Sequence, residues 1–313
     1  PQKEITLTPG LLFSDLTFVQ SDHIRDIYIE HFLNESGIEG VTIRTAKEKI
    51  ISMGSPKLDK LVRTHKEDYP LPKEWQTIVD AGNPGKKIVL YNLTIIGALR
   101  VKEDSGKAYL SKIRSVLEFF RTRTDILLWL RPHPLLRQTL HSMRPQLAEE
   151  YEDLIRNYIS AGYGIYDDTA DLDRALMWAD AYYGDSSSVI LMLEFLGKPV
   201  LIQNIDNAGK EPNIAGSAED VRKVMDTLVS KSEGLSYVMV EAKEESQTDR
   251  LSIADFLVHQ ETILEYRAEQ MAKSRRRYAN PDGTAGKKIQ LTVRIPFSIR
   301  SSSSLMLLSS SSL

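Results

Sequence analysis

The chain has 313 residues, 42% of them hydrophobic and 27% charged, and a net charge of −3 at pH 7. This composition is typical of a globular protein, and the length suggests about two domains. The near-balance of charges argues against a general binder of nucleic acid or of anionic membranes, and leaves a local basic cleft as an alternative. Because cysteine is absent, disulfides, thiolate metal sites, iron–sulfur clusters and cysteine nucleophiles are excluded.

The first 60 residues contain two short apolar runs, residues 16–19 and 50–53, separated by a helical segment. Ser21 and Asp22 can cap a helix that continues to about Leu33. This stretch is too short for a complete α/β domain. The sequence also opens without an initiator Met or a signal-peptide pattern. We therefore expect a piece of a longer protein that lacks most of its N-terminal domain.

From Lys86 onwards, strand-like and helix-like segments alternate. The predicted strands are residues 88–93, 126–130, 163–166, 181–183, 199–203 and 237–240. The predicted helices are residues 106–123, 145–160, 170–179, 187–196, 218–229 and 250–273. This alternation indicates βαβ units, and therefore one parallel, doubly wound sheet with helices on both faces.

These segments predict four regions. Residues 1–60 are the remnant of a preceding α/β domain, and residues 61–250 form one complete Rossmann-like domain. Residues 251–290 form a C-terminal helix and extension. Residues 291–313 form a disordered tail, since its last 13 residues are only Ser, Leu and Met.

Two polar segments follow predicted strands, where open parallel sheets bind their ligands. In Arg131-Pro132-His133-Pro134 the prolines restrict the loop. Its imidazole can donate to a phosphate oxygen or carry a proton, and its guanidinium can pair with phosphate. The alternative interpretation is a solvated loop pair, Arg131 and His133.

The second segment is Gly184-Asp185-Ser186-Ser187-Ser188. Its hydroxyls and free backbone N–H groups at a helix start favour an anion such as a diphosphate. Ordinary helix capping is the alternative, although capping needs only one such residue. The adjacent pair Tyr182-Tyr183 is typical of strand core. The basic cluster at residues 273–277 is either a solvated helix end or a docking site for anionic lipid or polymer.

Several short motifs occur in a fixed order along the chain. They are Gly54-Ser55-Pro56-Lys57-Leu58-Asp59, the strand ending at Thr94, Arg131-Pro132-His133-Pro134, Asp171-Leu172, residues 184–189, Gly197-Lys198-Pro199-Val200 and residues 280–285. In this order the sequence resembles the CDP-glycerol glycerophosphotransferase family, the teichoic-acid primases and polymerases of bacteria. The resemblance runs from about Leu16 to Ile289 and implies a GT-B fold, in which two Rossmann-like domains face each other across a cleft.

The resemblance also implies a reaction. CDP-glycerol would be bound mainly by the C-terminal domain, and an acceptor hydroxyl would attack its β-phosphorus with release of CMP. His133 would be catalytic, contacting the diphosphate or assisting the leaving group. The implied phosphate ligands are Arg131, Ser186, Ser187 and Ser188, with Asp185 and Thr94 in support.

We expect no cofactor, with CDP-glycerol as the substrate. The sequence contains no cluster of metal ligands, and dependence on a metal is left open. The implied partners are the nucleotide-diphosphate donor and a wall-polymer or lipid-linked acceptor, without nucleic acid. The expected location is the cytoplasm, and peripheral association with the inner face of the membrane is an open alternative.

The sequence departs from the family pattern at several positions. The second histidine of the family, in a His-Gly segment, has no counterpart here. Ser186 stands where the family usually has Tyr, Met192 where it has an acidic residue, and Thr94-Ile95-Ile96 where it has Thr-Trp-Arg. These departures predict a divergent member. Another GT-B nucleotide-sugar enzyme (a glycosyltransferase or 2-epimerase) and a non-catalytic nucleotide-binding fragment are the alternatives.

Overall fold

The computed structural model describes residues 6–81, 86–99, 105–124, 126–185, 187–198, 200–202, 238–240, 272 and 275–294. Contacts divide the chain into two compact units, Pro1–Arg63 with Arg275–Leu313, and Thr64–Ser274. The predicted helix at residues 218–229, nearly all of the predicted helix at residues 250–273 and the serine-rich tail lie outside the described residues.

The described elements alternate along the chain as the sequence predicts. The strands are β1 (Thr17–Val19), β2 (Ile50–Ser52), β3 (Lys87–Leu93), β4 (Ile126–Pro132), β5 (Ile165–Tyr166), β6 (Ala181–Gly184), β7 (Val200–Ile202) and β8 (Val238–Val240). The helices are α1 (Pro9–Phe13), α2 (Asp22–Glu35), α3 (Ile43–Lys49), α4 (Pro56–Arg63), α5 (Lys73–Asp80), α6 (Ile95–Leu99), α7 (Ser105–Arg121), α8 (Leu136–Met143), α9 (Pro145–Ala161), α10 (Leu172–Trp178), α11 (Val189–Phe195) and α12 (Ala285–Arg294), with a 3-10 turn at Lys66–Asp68.

The first unit contains a parallel pair of strands, β1 and β2. The Oγ of Ser21 accepts a hydrogen bond from the Ile24 N–H at 3.2 Å, so α2 begins at the predicted cap. Helices α2 and α3 lie between the two strands in the sequence and form the helical crossover that connects them. The unit has its own core of Leu11, Val19, Ile29, Phe32, Ala46 and Ile50.

The disordered tail was predicted to start at residue 291. This start is wrong, because helix α12 continues to Arg294. The reason is packing: Thr292 is buried, and its hydroxyl donates to the Lys288 carbonyl at 2.8 Å. Residues 275–294 belong to the first unit and pack there against α4.

The second unit is a six-stranded sheet in the order β5-β4-β3-β6-β7-β8, with every pair parallel. Counted within this unit, the order is 3-2-1-4-5-6, the arrangement typical of Rossmann domains. The predicted doubly wound parallel sheet is therefore confirmed. Its central strands β3 and β4 are buried almost throughout, which explains their continuous apolar runs.

One face of this sheet packs on α7 and α9. Alternate residues of β3, namely Val89, Tyr91 and Leu93, point into this core. The helices contribute apolar residues at helical spacing, among them Leu110, Ile113, Leu117, Leu147, Leu154 and Tyr158. The ladder of buried strands thus holds the carboxyl ends of β3, β4 and β6 in a fixed register.

Strand β4 extends two residues further than predicted, so Pro132 ends the strand and Arg131 lies within it. The His133 N–H donates to the Leu93 carbonyl at 2.8 Å, and the Asp167 N–H donates to the Leu130 carbonyl at 2.9 Å. Consecutive residues of a strand direct their backbone groups to opposite sides, so the nitrogen of Pro132 faces the β5 side. Strand β5 has already ended there, at Tyr166. A proline there removes no ladder hydrogen bond.

Candidate functional site

The sheet order reverses direction between β3 and β6, and a crevice forms beyond the carboxyl ends of such strands. Three loops begin at this edge, at Thr94 after β3, His133 after β4 and Asp185 after β6. Strands β4 and β6 flank β3 on either side. With neighbouring strands about 4.8 Å apart, the His133 and Asp185 backbones are separated by roughly 10 Å. The two segments identified in the sequence therefore lie at one edge.

Asp185 joins two of these loops. Its carboxylate Oδ2 accepts hydrogen bonds from the Thr94 N–H at 2.6 Å, the Thr94 hydroxyl at 2.9 Å and the Tyr109 hydroxyl at 3.0 Å. Asp185 is buried, and its own N–H donates to the Asn92 carbonyl at 3.0 Å. One carboxylate thus sets the position of the β3 loop against the β6 loop, and the supporting role of Asp185 and Thr94 in donor binding stays a prediction.

Burial, reinforced by the nearby Asp185 carboxylate, raises the pKa of Tyr109 well above its usual value. The phenol therefore stays protonated and remains a donor to that carboxylate. Tyr109 lies on α7. The loop arrangement at the sheet edge is consequently fixed from the helix layer as well as from the strands.

A second polar group at this edge could not be assigned from the sequence. Asn92, buried near the end of β3, donates its side-chain N–H to the Tyr182 hydroxyl and to the Ser187 Oγ, both at 3.4 Å. The Tyr182 hydroxyl donates to the Asp185 carbonyl. Tyr182 is therefore buried strand core, as predicted, and also a polar support for the serine loop. The available signal was a single Asn in an otherwise apolar strand.

Gly184 allows β6 to approach β3 closely. Its φ is +145°, and a Cβ built there would lie 2.2 Å from the Asn92 carbonyl oxygen and 2.9 Å from the Asn92 nitrogen. Both contacts are with backbone, which cannot rotate away. The glycine that opens the polar segment is thus required by the closeness of the two strands.

His133 is exposed, and its ring is oriented by the loop. The Leu135 N–H donates to its Nδ1 at 3.1 Å. An Nδ1 that accepts a hydrogen bond has no proton, so the neutral ring has its proton on Nε2. The donor group of this side chain is therefore Nε2–H. The backbone of His133 is also bonded to Leu93, so the loop is anchored to β3.

Arg131 occupies a different environment from the predicted one. It is buried, its Nη1 lies 2.7 Å from the Asp167 carboxylate, and its Nη2 donates to the Thr169 carbonyl at 2.7 Å. Asp167 is fully buried and also accepts from the Trp129 indole N–H at 3.0 Å. The solvated loop pair is therefore wrong for Arg131. Its contacts are those of a structural ion pair on the β5 side of the sheet.

The serine segment is only partly described, since Ser186 lies outside the described residues. Ser187 is half-buried, and its Oγ accepts from the Val189 N–H at 3.3 Å. Ser188 is exposed and makes no capping hydrogen bond through its side chain. Helix α11 begins at Val189 and has seven residues, shorter than predicted. Because α11 is short, this loop can bind a ligand mainly through its hydroxyl groups and less through the helix dipole.

Two further motifs have structural explanations. Lys198 donates to the carbonyls of Met177 at 2.9 Å and Ala179 at 2.6 Å, which caps the C-terminal end of α10. In the first unit, Asp59 accepts from the N–H groups of Ala285 at 3.2 Å and Gly286 at 2.7 Å. The segment beginning at Gly54 and the segment at residues 280–285 are therefore a helix-capping pair.

Within the part of the chain that the structure describes, no helix combines the length and apolar character needed to cross a bilayer. Among the same residues, no group of three or more His, Asp or Glu side chains could hold a metal ion.

The second unit is thus a doubly wound Rossmann-type domain whose switch-point edge presents hydroxyl and imidazole donors. A family model described as CDP-Glycerol:Poly(glycerophosphate) glycerophosphotransferase matches residues 15–257. The chain belongs to this family, which confirms the resemblance drawn from its motifs. A search of curated proteins found no match.

Three solved structures illustrate the structural similarity. The wall teichoic acid polymerase TagF is 14% identical, with a TM-score of 0.43, over 89% of this chain and 57% of that one. A putative UDP-N-acetylglucosamine 2-epimerase from Listeria monocytogenes is 15% identical, with a TM-score of 0.48, over 91% and 60%. A glycosyltransferase from Rickettsia africae is 11% identical, with a TM-score of 0.40, over 92% and 65%. The chain spans about three fifths of the length of these proteins.

Proposed function

We propose that this chain binds the diphosphate of CDP-glycerol at the carboxyl edge of β3, β4 and β6. There it transfers glycerol phosphate to a hydroxyl of a wall-polymer or lipid-linked acceptor. The acceptor oxygen attacks the β-phosphorus, the bond to the CMP oxygen breaks, and CMP leaves. Phosphoryl transfer depends mainly on positioning and charge stabilisation. The observation that carries the proposal is the Asp185 carboxylate, which links the Thr94 loop to the serine loop at the switch point.

The hydrogen bonds of Ser187 support its role as a phosphate donor. Its Oγ faces two N–H donors, those of Val189 and Asn92. These donors engage the hydroxyl oxygen, and the hydroxyl proton is directed at the Tyr182 oxygen. In the proposed complex a phosphate oxygen in the crevice replaces the Tyr182 oxygen as the acceptor of that proton. Ser186 and Ser188 are further candidate ligands on the same loop.

The tautomer of His133 supports the second role. Its Nε2–H is the donor, and the exposed ring can hydrogen-bond the diphosphate or stabilise charge on the departing CMP. The buried ion pair of Arg131 with Asp167 supports a role for Arg131 in holding this edge in place, through β4 and the Thr169 loop.

The test is calorimetric titration of the whole chain with CDP-glycerol and, separately, with UDP-sugars. We expect binding of CDP-glycerol, and a loss of affinity of about ten- to a hundredfold in Ser187→Ala, the range for a hydrogen bond to a charged group. His133→Ala should abolish CMP release while leaving the fold intact.

Matched controls are Ser160→Ala, whose hydroxyl bonds the Asn157 carbonyl at the end of α9, and His23→Ala on the exposed face of α2. Both should bind CDP-glycerol like the wild type. Binding of a UDP-sugar without binding of CDP-glycerol would overturn the proposal. Normal CMP release by His133→Ala would overturn the role of that histidine.

A further inference from the structure

The phenol of Tyr182 belongs to the polar network around Ser187, although it lies in the core of the sheet. Tyr182 is almost fully buried on β6, two residues before the glycine that opens the serine segment. A buried hydroxyl group needs hydrogen-bond partners, because an unpaired polar group in the core is destabilising. The partners of this phenol come from β3 and from the loop that follows β6.

Three hydrogen bonds engage the phenol group of Tyr182. Its proton is donated to the Asp185 carbonyl. Its oxygen accepts the Asn92 side-chain N–H at 3.4 Å and the hydroxyl of Ser187. A phenol has one proton to donate and can also accept, so both functions are in use. The Tyr182 oxygen is therefore the acceptor of the Ser187 proton when no ligand is bound.

The protonation state of the phenol agrees with this arrangement. Burial raises the pKa of Tyr182 above its ordinary value, while the hydrogen bonds from Ser187 and Asn92 act in the opposite direction. The phenol therefore keeps its proton at neutral pH and continues to donate it to the Asp185 carbonyl. The Tyr182 oxygen is thus a neutral acceptor, not a phenolate.

Two N–H donors fix the oxygen of Ser187. The Asn92 side chain donates to it at 3.4 Å through the same nitrogen that donates to Tyr182, and the Val189 N–H donates to it at 3.3 Å. Rotation about the bond between Cβ and Oγ turns the hydroxyl proton without moving the oxygen. A change of acceptor for Ser187 therefore needs no movement of the loop.

The Tyr182 oxygen and a ligand in the crevice would compete for this proton. Ser187 is half-buried, so a ligand can approach its hydroxyl. Water would form a neutral hydrogen bond no stronger than the one to the phenol. A phosphate oxygen is charged, and hydrogen bonds to a charged acceptor are about twice as strong as neutral ones. Phosphate can therefore draw the proton away from Tyr182, with the loss of one neutral hydrogen bond.

We propose that Tyr182 is a positioning residue that holds the Ser187 hydroxyl in the empty site and releases it when a phosphate oxygen enters. This role deepens the proposed function and rests on it. The bond between Ser187 and Tyr182 exists before the ligand arrives and is absent from the complex, so Tyr182 opposes binding. Removing the phenol oxygen should therefore tighten binding. Removing a group that only supports the fold would weaken binding or leave it unchanged.

The experiment is calorimetric titration of the full chain with CDP-glycerol, with Tyr182→Phe made both in the wild type and in Ser187→Ala. With Ser187 present, Tyr182→Phe should bind CDP-glycerol about two- to tenfold more tightly, the range for one neutral hydrogen bond. In the Ser187→Ala background the same change should leave the affinity unaltered, because there is no hydroxyl proton to release. This double-mutant cycle isolates the pair from any general effect of losing the phenol.

The matched control is Tyr158→Phe. Tyr158 is also buried, and its hydroxyl donates to the carbonyls of Leu128 at 2.7 Å and Ile165 at 3.2 Å, on the β4 and β5 side of the sheet. This variant loses a buried phenol oxygen that has no contact with the serine segment, and should bind CDP-glycerol like the wild type. Thermal melting establishes that each variant is folded. If Tyr182→Phe does not fold, 3-fluorotyrosine at position 182 replaces it. The oxygen of that residue is a weaker acceptor and should tighten binding by a smaller factor.

Two results would overturn the proposal. They are an affinity of the position-182 variant no higher than that of the wild type, and an equal change in both backgrounds. Inorganic pyrophosphate is titrated as a second probe, which separates this role from the transferase function. A chain that binds pyrophosphate but not CDP-glycerol refutes the transferase function, and the same variants titrated with pyrophosphate then decide the role of Tyr182. A wild-type chain that binds neither probe refutes both.

Discussion

Replacing Gly184 by alanine tests whether the close approach of β6 to β3 builds the site. The new Cβ would lie 2.2 Å from the Asn92 oxygen, against ordinary contacts of 3.4 Å or more. The strands must therefore separate by about 1 Å, which by analogy with overpacked cores costs about 1–3 kcal/mol. The φ of +145° adds strain of about 1–2 kcal/mol. With the Asp185–Asn92 hydrogen bond weakened, we expect a total loss of about 3–5 kcal/mol.

Gly162→Ala is the matched control. Gly162 ends α9 with φ +66°, and a Cβ there meets nothing within 4 Å. Only the left-handed backbone is penalised, so the expected loss is about 1–2 kcal/mol. Urea denaturation gives both values from the midpoint and slope. Calorimetry on folded protein should show at least tenfold weaker CDP-glycerol binding for Gly184→Ala and none of this loss for Gly162→Ala. Equal stability and equal affinity of the two variants would refute the reasoning.

Two further predictions concern the groups around this site. Asp185→Asn keeps the shape of the side chain but removes the charge that strengthens three hydrogen bonds. It should lower the free energy of unfolding, measured in urea, by about 2–3 kcal/mol. Wild-type stability of this variant would contradict the proposal that Asp185 holds the two loops together. Burial raises the pKa of Tyr109, Tyr151 and Tyr158 above the ordinary value. Because the unfolded chain loses its phenolic protons first, these tyrosines contribute fully to the free energy of unfolding below pH 10. Above pH 10 that contribution declines by about 1.4 kcal/mol per tyrosine per pH unit. The last part of the phenolate absorbance to appear should coincide with the loss of the far-UV circular dichroism signal, and complete ionisation of all 13 tyrosines in a chain that keeps its helical signal would show the reasoning to be wrong.

The sheet was predictable because its information is local. Each apolar run that was predicted as a strand, from β3 to β8, is a strand, and the cap predicted at Ser21 begins a helix. Parallel strands buried on both faces leave a strong apolar signal, and turns and caps mark their ends. The carboxyl-edge rule then placed the Asp185 loop and His133 together without further information.

The partners of individual polar side chains were not predictable, because they are distant in sequence. Asn92 meets Ser187 across 95 positions, and Arg131 meets Asp167 across the sheet. The sequence shows an Asn within a strand and an Arg before a proline, and either could have faced solvent. Arg131 was expected to bind phosphate because its planar guanidinium can pair with a phosphate group, and the structure shows it paired with the buried carboxylate of Asp167, just beyond β5.

The cap that Asp59 provides for α12 has a consequence for synthesis. The two amides it holds are 226 and 227 positions further along the chain. On the ribosome, the N-terminal unit therefore emerges long before the residues that complete it, while the intervening Rossmann unit has all of its strands available and can fold first. The early-made segment must wait, incompletely packed, until α12 has been synthesised.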